Sequence, residues 1–201
     1  MMKIVVFGLG AIGSNLILQL MKLYPDFEFK GVDYDVIEER NIKTQAYFLE
    51  QVGMPKTHAI PMLAQRYLRK VNYVPDNKKV EMQLVSFDWN FAEQKSTIPE
   101  DLLFIDCFDN SESRKFISGP KDANILHIGF SPQYTAEIIW EDKYDVPGDV
   151  DPEQSDICEM DEATAFIHYV VNLAALNICN FIKEKKKDSY IITNKTNIRK
   201  L

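Results

Sequence analysis

A glycine run, Gly8-Leu9-Gly10-Ala11-Ile12-Gly13, follows a short apolar stretch and precedes an amphipathic one. Glycines at this spacing let the backbone turn tightly and come close to a phosphate. A helix starting there offers unpaired amides and partial positive charge to an anion. Asp33 comes about twenty residues after Gly13, where an acidic side chain at the end of a second strand can accept hydrogen bonds from ribose hydroxyls. The combination predicts a nucleotide site but does not separate a nicotinamide dinucleotide from ATP.

The following segments make that separation. Asp33-Tyr34-Asp35 runs on through Asn41-Ile42-Lys43-Thr44-Gln45 to Val52-Gly53-Met54-Pro55-Lys56, and then come Asp106-Cys107-Phe108-Asp109-Asn110 and Arg114. In order and spacing across residues 3–115 this resembles the ThiF/MoeB/HesA superfamily, the adenylating domain of ubiquitin-activating-like enzymes. The later segments are compatible with it to about residue 183. The resemblance implies ATP-dependent activation of a carboxylate, with Gly8, Gly10, Gly13, Asp33, Asp35, Asn41, Gln45 and Lys56 around the nucleotide.

Adenylation brings a carboxylate onto the α-phosphate of ATP, so two anions must be neutralised and aligned. Lys56 is a flexible point charge able to reach phosphates; the plainer reading is a solvated lysine at a helix start. Asp109 is a hard oxygen ligand after a strand, suited to hold Mg²⁺ on the phosphates. Capping the next helix is its alternative role. In relatives that transfer the activated group, a reactive cysteine stands on a loop about as far ahead of the last long helix as Cys158 does here. A cation or helix N-terminus would have to lower its pKa, and Asp156, Glu159, Asp161 and Glu162 push the other way. A nucleophile and an inert thiol both stay open. Three features depart from the family pattern: Thr44 stands where an arginine is usual, the chain begins directly with the first strand, and the paired CxxC zinc motif of many relatives is missing. Neither Arg40 nor Lys43 is at the arginine's position.

The elements that must carry these residues can be read from periodicity. Lys3–Gly8, Phe27–Asp33, Lys79–Phe87, Leu102–Asp106, Ile125–Phe130 and Tyr134–Trp140 read as strands. Ser14–Leu23, Pro55–Val71 (kinked at Pro61) and Ala163–Lys183 read as helices. Strands alternating with helices predict an α/β, Rossmann-like three-layer fold. Its sheet is mostly parallel, with antiparallel strands added in the C-terminal half. Residues 1–201 read as one adenylation domain: a nucleotide-binding core over 1–140, a crossover loop over 141–162, the long helix over 163–183 and a basic tail over 184–201.

The chain of 201 residues carries 23 Lys and Arg against 30 Asp and Glu, net −7, which disfavours nucleic acid as the main partner. Residues 141–162 hold ten acids and one lysine, with two prolines and a glycine, and read as a mobile loop over the acyl side of the site. Residues 184–201 are basic and read as solvated. No apolar stretch reaches the ~20 residues of a membrane span, and no signal peptide is visible. Cys107, Cys158 and Cys179 form no CxxC pair, so a reducing, cytoplasmic setting is expected. Cys107 and Cys179 read as packing, and His58, His127 and His168 as structural.

The leading reading is an adenylyltransferase using ATP and Mg²⁺ on the C-terminal glycine of a ubiquitin-like or sulfur-carrier protein or peptide. A non-catalytic ATP-binding scaffold and a nicotinamide-dependent oxidoreductase are the alternatives. The helix over 163–183 is apolar nearly all round, and this surplus predicts a homodimer.

Overall fold

The structure is a computed structural model and describes residues 2–77, 101–118, 123–131, 134–147, 162–193 and 197–201. The strands are β1 (Lys3–Phe7), β2 (Glu28–Val32), β3 (Tyr73–Asp76), β4 (Leu102–Asp106), β5 (Ile125–Ser131), β6 (Thr135–Trp140), β7 (Tyr190–Thr193) and β8 (Asn197–Lys200). The helices are α1 (Ala11–Leu23), α2 (Lys56–Ala64), α3 (Ser111–Ile117) and α4 (Ala163–Glu184). All eight strands form one sheet in the order β3-β2-β1-β4-β5-β6-β7-β8. The first five pair in parallel and the last three antiparallel, the expected mixed α/β architecture.

Alternation along β1 explains the layers. Ile4 and Val6 point to the face packed by Leu16, Ile17 and Leu20 of α1 and by Ile167, Val170 and Ile178 of α4. Val5 and Phe7 point to the opposite face, with Phe104, Phe108 and Ile117. A strand buried on both sides must be apolar throughout, as Lys3–Phe7 is after its first residue. The chain leaves β1 toward β2 on one side and returns as β4 on the other. A crevice therefore opens beyond the carboxyl ends of β1 and β4, where open α/β sheets bind ligands.

Four elements differ from the sequence reading. Helix α2 runs through Pro61 and stops at Ala64 rather than Val71. Leu68 and Val71, which fall at helical spacing, pack on the core from a connecting segment instead. That frees Tyr73–Asp76 to form β3, whose Pro75 is tolerated at a sheet edge; the strand expected over 79–87 lies outside the described residues. The basic tail is not simply solvated, because β7 and β8 extend the sheet and Ile192 is fully buried. Nor does the acidic loop begin at 141: Glu141–Lys143 form a 3₁₀ turn, and Glu141 and Tyr144 are both buried.

Contrary to the expectation that no apolar stretch reaches a membrane span, helix α4 has 22 residues and is long and apolar enough by composition to cross one. Phe166, Ile167, Val170, Val171, Ile178 and Phe181, most of its apolar surplus, are buried within this chain. The surplus therefore does not by itself call for a second copy. Leu176 and Tyr169 are its exposed large apolar residues.

Candidate functional site

The glycine run forms the bend from β1 into α1. Gly8 has φ +79°, and a Cβ there would stand 2.8 Å from the Cys107 carbonyl oxygen. A Cβ at Gly13 would collide with the Gly8 carbonyl, so the strand and helix can cross this closely only without side chains. At Gly10 a Cβ would meet nothing within 4 Å. Gly8 and Gly13 make the bend, and Gly10 leaves open space at its tip. The first helical hydrogen bond runs from the Ser14 N–H to the Gly10 carbonyl, so the amides of residues 11–13 have no acceptor within the helix. Gly8→Ala is expected to cost at least about 1–3 kcal/mol from backbone strain alone. Chemical denaturation with an unshifted midpoint would contradict it.

Asp33 ends β2 and is buried. Its carboxylate accepts from the Leu9 N–H at 2.6 Å and the Asp35 N–H at 2.8 Å, which binds the glycine bend to the Asp33–Asp35 turn. Burial raises its pKa, while the Lys56 charge and the two backbone donors work against that rise. Lys56 opens α2, and its ammonium donates to Asp35 at 2.8 Å. The lysine is almost fully covered, whereas half of the Asp35 side chain is exposed. The Lys56 N–H also donates to the Asp35 carbonyl, and Val36 bridges Pro55. The Asp33–Asp35 and Gly53–Lys56 loops are thus zipped together. Lys56 is therefore a held cation, not the freely reaching one expected from sequence.

Asp109 follows β4 and is exposed. It does not cap α3; Asn110 does, accepting from the Ser113 N–H at 2.8 Å. The Tyr34 phenol lies within electrostatic reach of Asp109. Its pKa is raised first by Asp35, then by burial, Asp109 and Asp33, and lowered by Lys56, so it feels the charge of all four groups. Asn41 is buried and its Oδ1 accepts from the Glu38 N–H, pinning the 3₁₀ turn Glu39–Lys43. The Gln45 N–H donates to the Asn41 carbonyl, while Gln45 Oε1 is buried without a hydrogen-bond partner. Thr44, at the arginine's place, is buried, and its carbonyl accepts from Asn15 of α1. Arg40 pairs with Glu38 at 2.5 Å. Cys158 lies outside the described residues.

Behind the Asp109 turn lies a buried charged cluster that the sequence reading missed. His127 of β5 stands opposite Asp106 of β4 in the sheet register. Its Nδ1 is 2.8 Å from Asp106 and its Nε2 2.6 Å from Glu141. Tyr144 stacks on the imidazole with centroids 3.6 Å apart. Arg114 of α3 donates to the Phe108 and Ile128 carbonyls, to the Tyr144 hydroxyl and to Glu137. Burial would lower the His127 pKa, but hydrogen bonds to Asp106 and Glu141 outweigh it and hold the value above the usual range for histidine. One signal was available: a carboxylate ending the buried strand Leu102–Asp106 needs a partner, and the adjacent strand Ile125–Phe130 offers a single polar side chain, His127.

This site defines a class: an α/β protein with a glycine bend, a buried carboxylate and a held lysine beyond the carboxyl ends of a mostly parallel sheet. The chain belongs to the ThiF family, whose sequence model matches residues 1–120. Curated proteins give no sequence match. Among solved structures it is similar to PaaA, with 15% identity and a TM-score of 0.71. It is also similar to E. coli MccB with ATP, at 16% identity and a TM-score of 0.67. MccB, described as a microcin C7 biosynthetic enzyme, is also solved with N-formylated MccA, at 17% identity and a TM-score of 0.67. In the first two comparisons all of this chain is covered against 63% of the solved chain, and in the third all of it against 64%. This chain therefore spans about two thirds of those proteins. At such identities the likeness shows the fold.

Proposed function

We propose that this protein adenylates the C-terminal carboxylate of a peptide or small protein, giving an acyl-adenylate and pyrophosphate. The observation that carries the reading is the network that ties Asp33 to the glycine bend and Lys56 to Asp35, beside the open space at Gly10, in a chain of the ThiF family. The amides of residues 11–13 suit phosphate oxygens and Asp33 suits the ribose. The orphaned Gln45 Oε1 has the unused hydrogen-bonding capacity that a ligand would satisfy. The Lys56 ammonium would exchange Asp35 for a phosphate oxygen as the more highly charged anion arrives.

Mg²⁺ fits one residue here. Asp109 is an exposed carboxylate, and among the described residues no three His, Cys, Asp or Glu side chains form a cage. Mg²⁺ is commonly bound through one or two carboxylates plus substrate phosphates, and would neutralise charge on them.

A peptide substrate is favoured over a ubiquitin-like or sulfur-carrier protein by the solved MccB–MccA pairing, in which the partner is an N-formylated chain. A second copy of this chain belongs to the same reading. Its support is an exposed groove between α1, α2 and α4, lined by Leu18, Phe48, Tyr67 and Val171. Light scattering that shows a monomer at micromolar concentration would remove it. A cytoplasmic location agrees with free thiols at Cys107 and Cys179.

ATP–pyrophosphate exchange in the presence of candidate peptides tests the function. Peptide-dependent exchange is expected, and ATP binding without exchange would favour the scaffold reading that Thr44 suggests. Cys158→Ser should spare exchange and block transfer of the activated group to an acceptor. Unimpaired transfer would end the nucleophile role.

A further inference from the structure

The buried cluster behind β4 grips both backbone polar groups of one residue, Phe108, and so the two peptide units that flank it. The Phe108 N–H donates to Asp106 Oδ1 at 3.0 Å, and the Phe108 carbonyl accepts from Arg114 Nε at 2.7 Å. Phe108 is the residue immediately before Asp109. Both of its backbone polar groups are held by charged side chains that are themselves buried. The other Asp106 oxygen is taken by His127, whose far nitrogen is taken by Glu141. We propose that His127 is a positioning residue for the nucleotide site: by holding Asp106, whose other oxygen takes the Phe108 N–H, it fixes the backbone at Phe108 and so aims the Asp109 carboxylate. The proposal rests on the adenylation reading for what Asp109 does, and on geometry alone for the clamp.

The chemistry of the cluster supports this role. Asp106, His127 and Glu141 are all nearly inaccessible, so an unmatched charge there would be costly. Two carboxylates facing the two ring nitrogens are both satisfied when the ring carries both protons. The groups facing the imidazole are Asp106 from β4, Glu141 and Tyr144 from the segment after β6, and Glu137 of β6 together with Arg114 of α3 close by. A phenylalanine at 127 would keep the stack on Tyr144 but offer neither carboxylate a donor. Asp106 would then be free to turn from the Phe108 N–H. A glutamine would keep a donor for one of the two.

Two measurements on the full chain test the clamp. Amide hydrogen exchange is followed at Phe108, with the buried amides of β1 as an internal reference. In His127→Phe the Phe108 amide should exchange about a hundredfold faster while β1 is unchanged, and His127→Gln should fall between. ATP binding by calorimetry is then titrated with Mg²⁺. His127→Phe should need about tenfold more Mg²⁺ for half-maximal binding, with the glutamine variant again closer to wild type. Phe108 protection equal to wild type in both variants would overturn the proposal. So would loss of protection only in step with β1, which would make His127 a residue of general stability, or an unchanged Mg²⁺ requirement beside a loosened Phe108. Should the wild-type protein bind no ATP, the adenylation reading fails, and the Phe108 amide still decides the clamp. If His127→Phe does not fold, His127→Gln carries both measurements.

Discussion

Lys56→Ala is expected to lower peptide-dependent ATP–pyrophosphate exchange by about 10²–10³-fold, the cost of removing a preorganised electrostatic group from a water-poor site. Lys56 is almost wholly buried and held 2.8 Å from Asp35, so its position is set before the nucleotide arrives. An ammonium fixed in that way loses little freedom on meeting a phosphate, and partial desolvation strengthens the attraction. Alanine at 56 also leaves Asp35 unpaired beside the incoming anion, so affinity and turnover should fall together. Asp109→Ala should act differently. Asp109 is exposed, so the fold should hold and the loss should appear as a steep rise in the Mg²⁺ needed. Steady-state exchange kinetics over a Mg²⁺ series separate the two. Exchange that survives both substitutions within about threefold would remove the functional reading.

Much of this site was legible because its residues are tied to local backbone. Gly8, Gly13, Asp33 and Lys56 each sit at a strand end or helix start within two linked loops, and local sequence reports such places well. The Asp106–His127–Glu141 cluster was not legible because its members come from three segments joined only by sheet register and burial. His127, read alone, is one histidine on an apolar strand. The same limit applied to β7 and β8. Lysines at 185, 186 and 187 suggested a solvated tail, but Ile192 reaches the core, and Lys186 and Lys200 pair with Asp188 on the outside. Helix α4 shows the limit from the other side. Most of its apolar surface packs on the sheet and α1 of its own chain, while Leu176 and Tyr169 stay exposed. The sequence supplied the composition of that surface, not what covers it.

Arg114→Met is expected to cost about 3–5 kcal/mol of stability, the range for removing one partner from a buried charged cluster. Arg114 is 5% exposed. It satisfies two backbone carbonyls, the Tyr144 hydroxyl and Glu137, and methionine replaces none of these bonds. In a domain of about 200 residues the loss should lower the melting temperature by roughly 6–20 °C, at about 2–4 °C per kcal/mol. The exposed pair Lys3–Glu28, 2.8 Å long, gives the contrast: breaking it should cost at most about 1 kcal/mol. The Arg114 deficit should also depend on pH. Burial raises the Glu137 pKa, while Arg114 and His127 pull it back. Without the arginine that pKa rises further. A carboxyl whose folded pKa lies above its unfolded value favours folding at low pH, and this stability is lost as pH rises through the folded value. The variant can protonate Glu137 in mild acid and so relieve part of its unpaired charge. Its deficit should therefore be smaller near pH 5 than near pH 7. Thermal melts of wild type and variant at both values check this. A variant melting within about 2 °C of wild type at pH 7, or a deficit equal at both pH values, would show that Arg114 does not hold the cluster together.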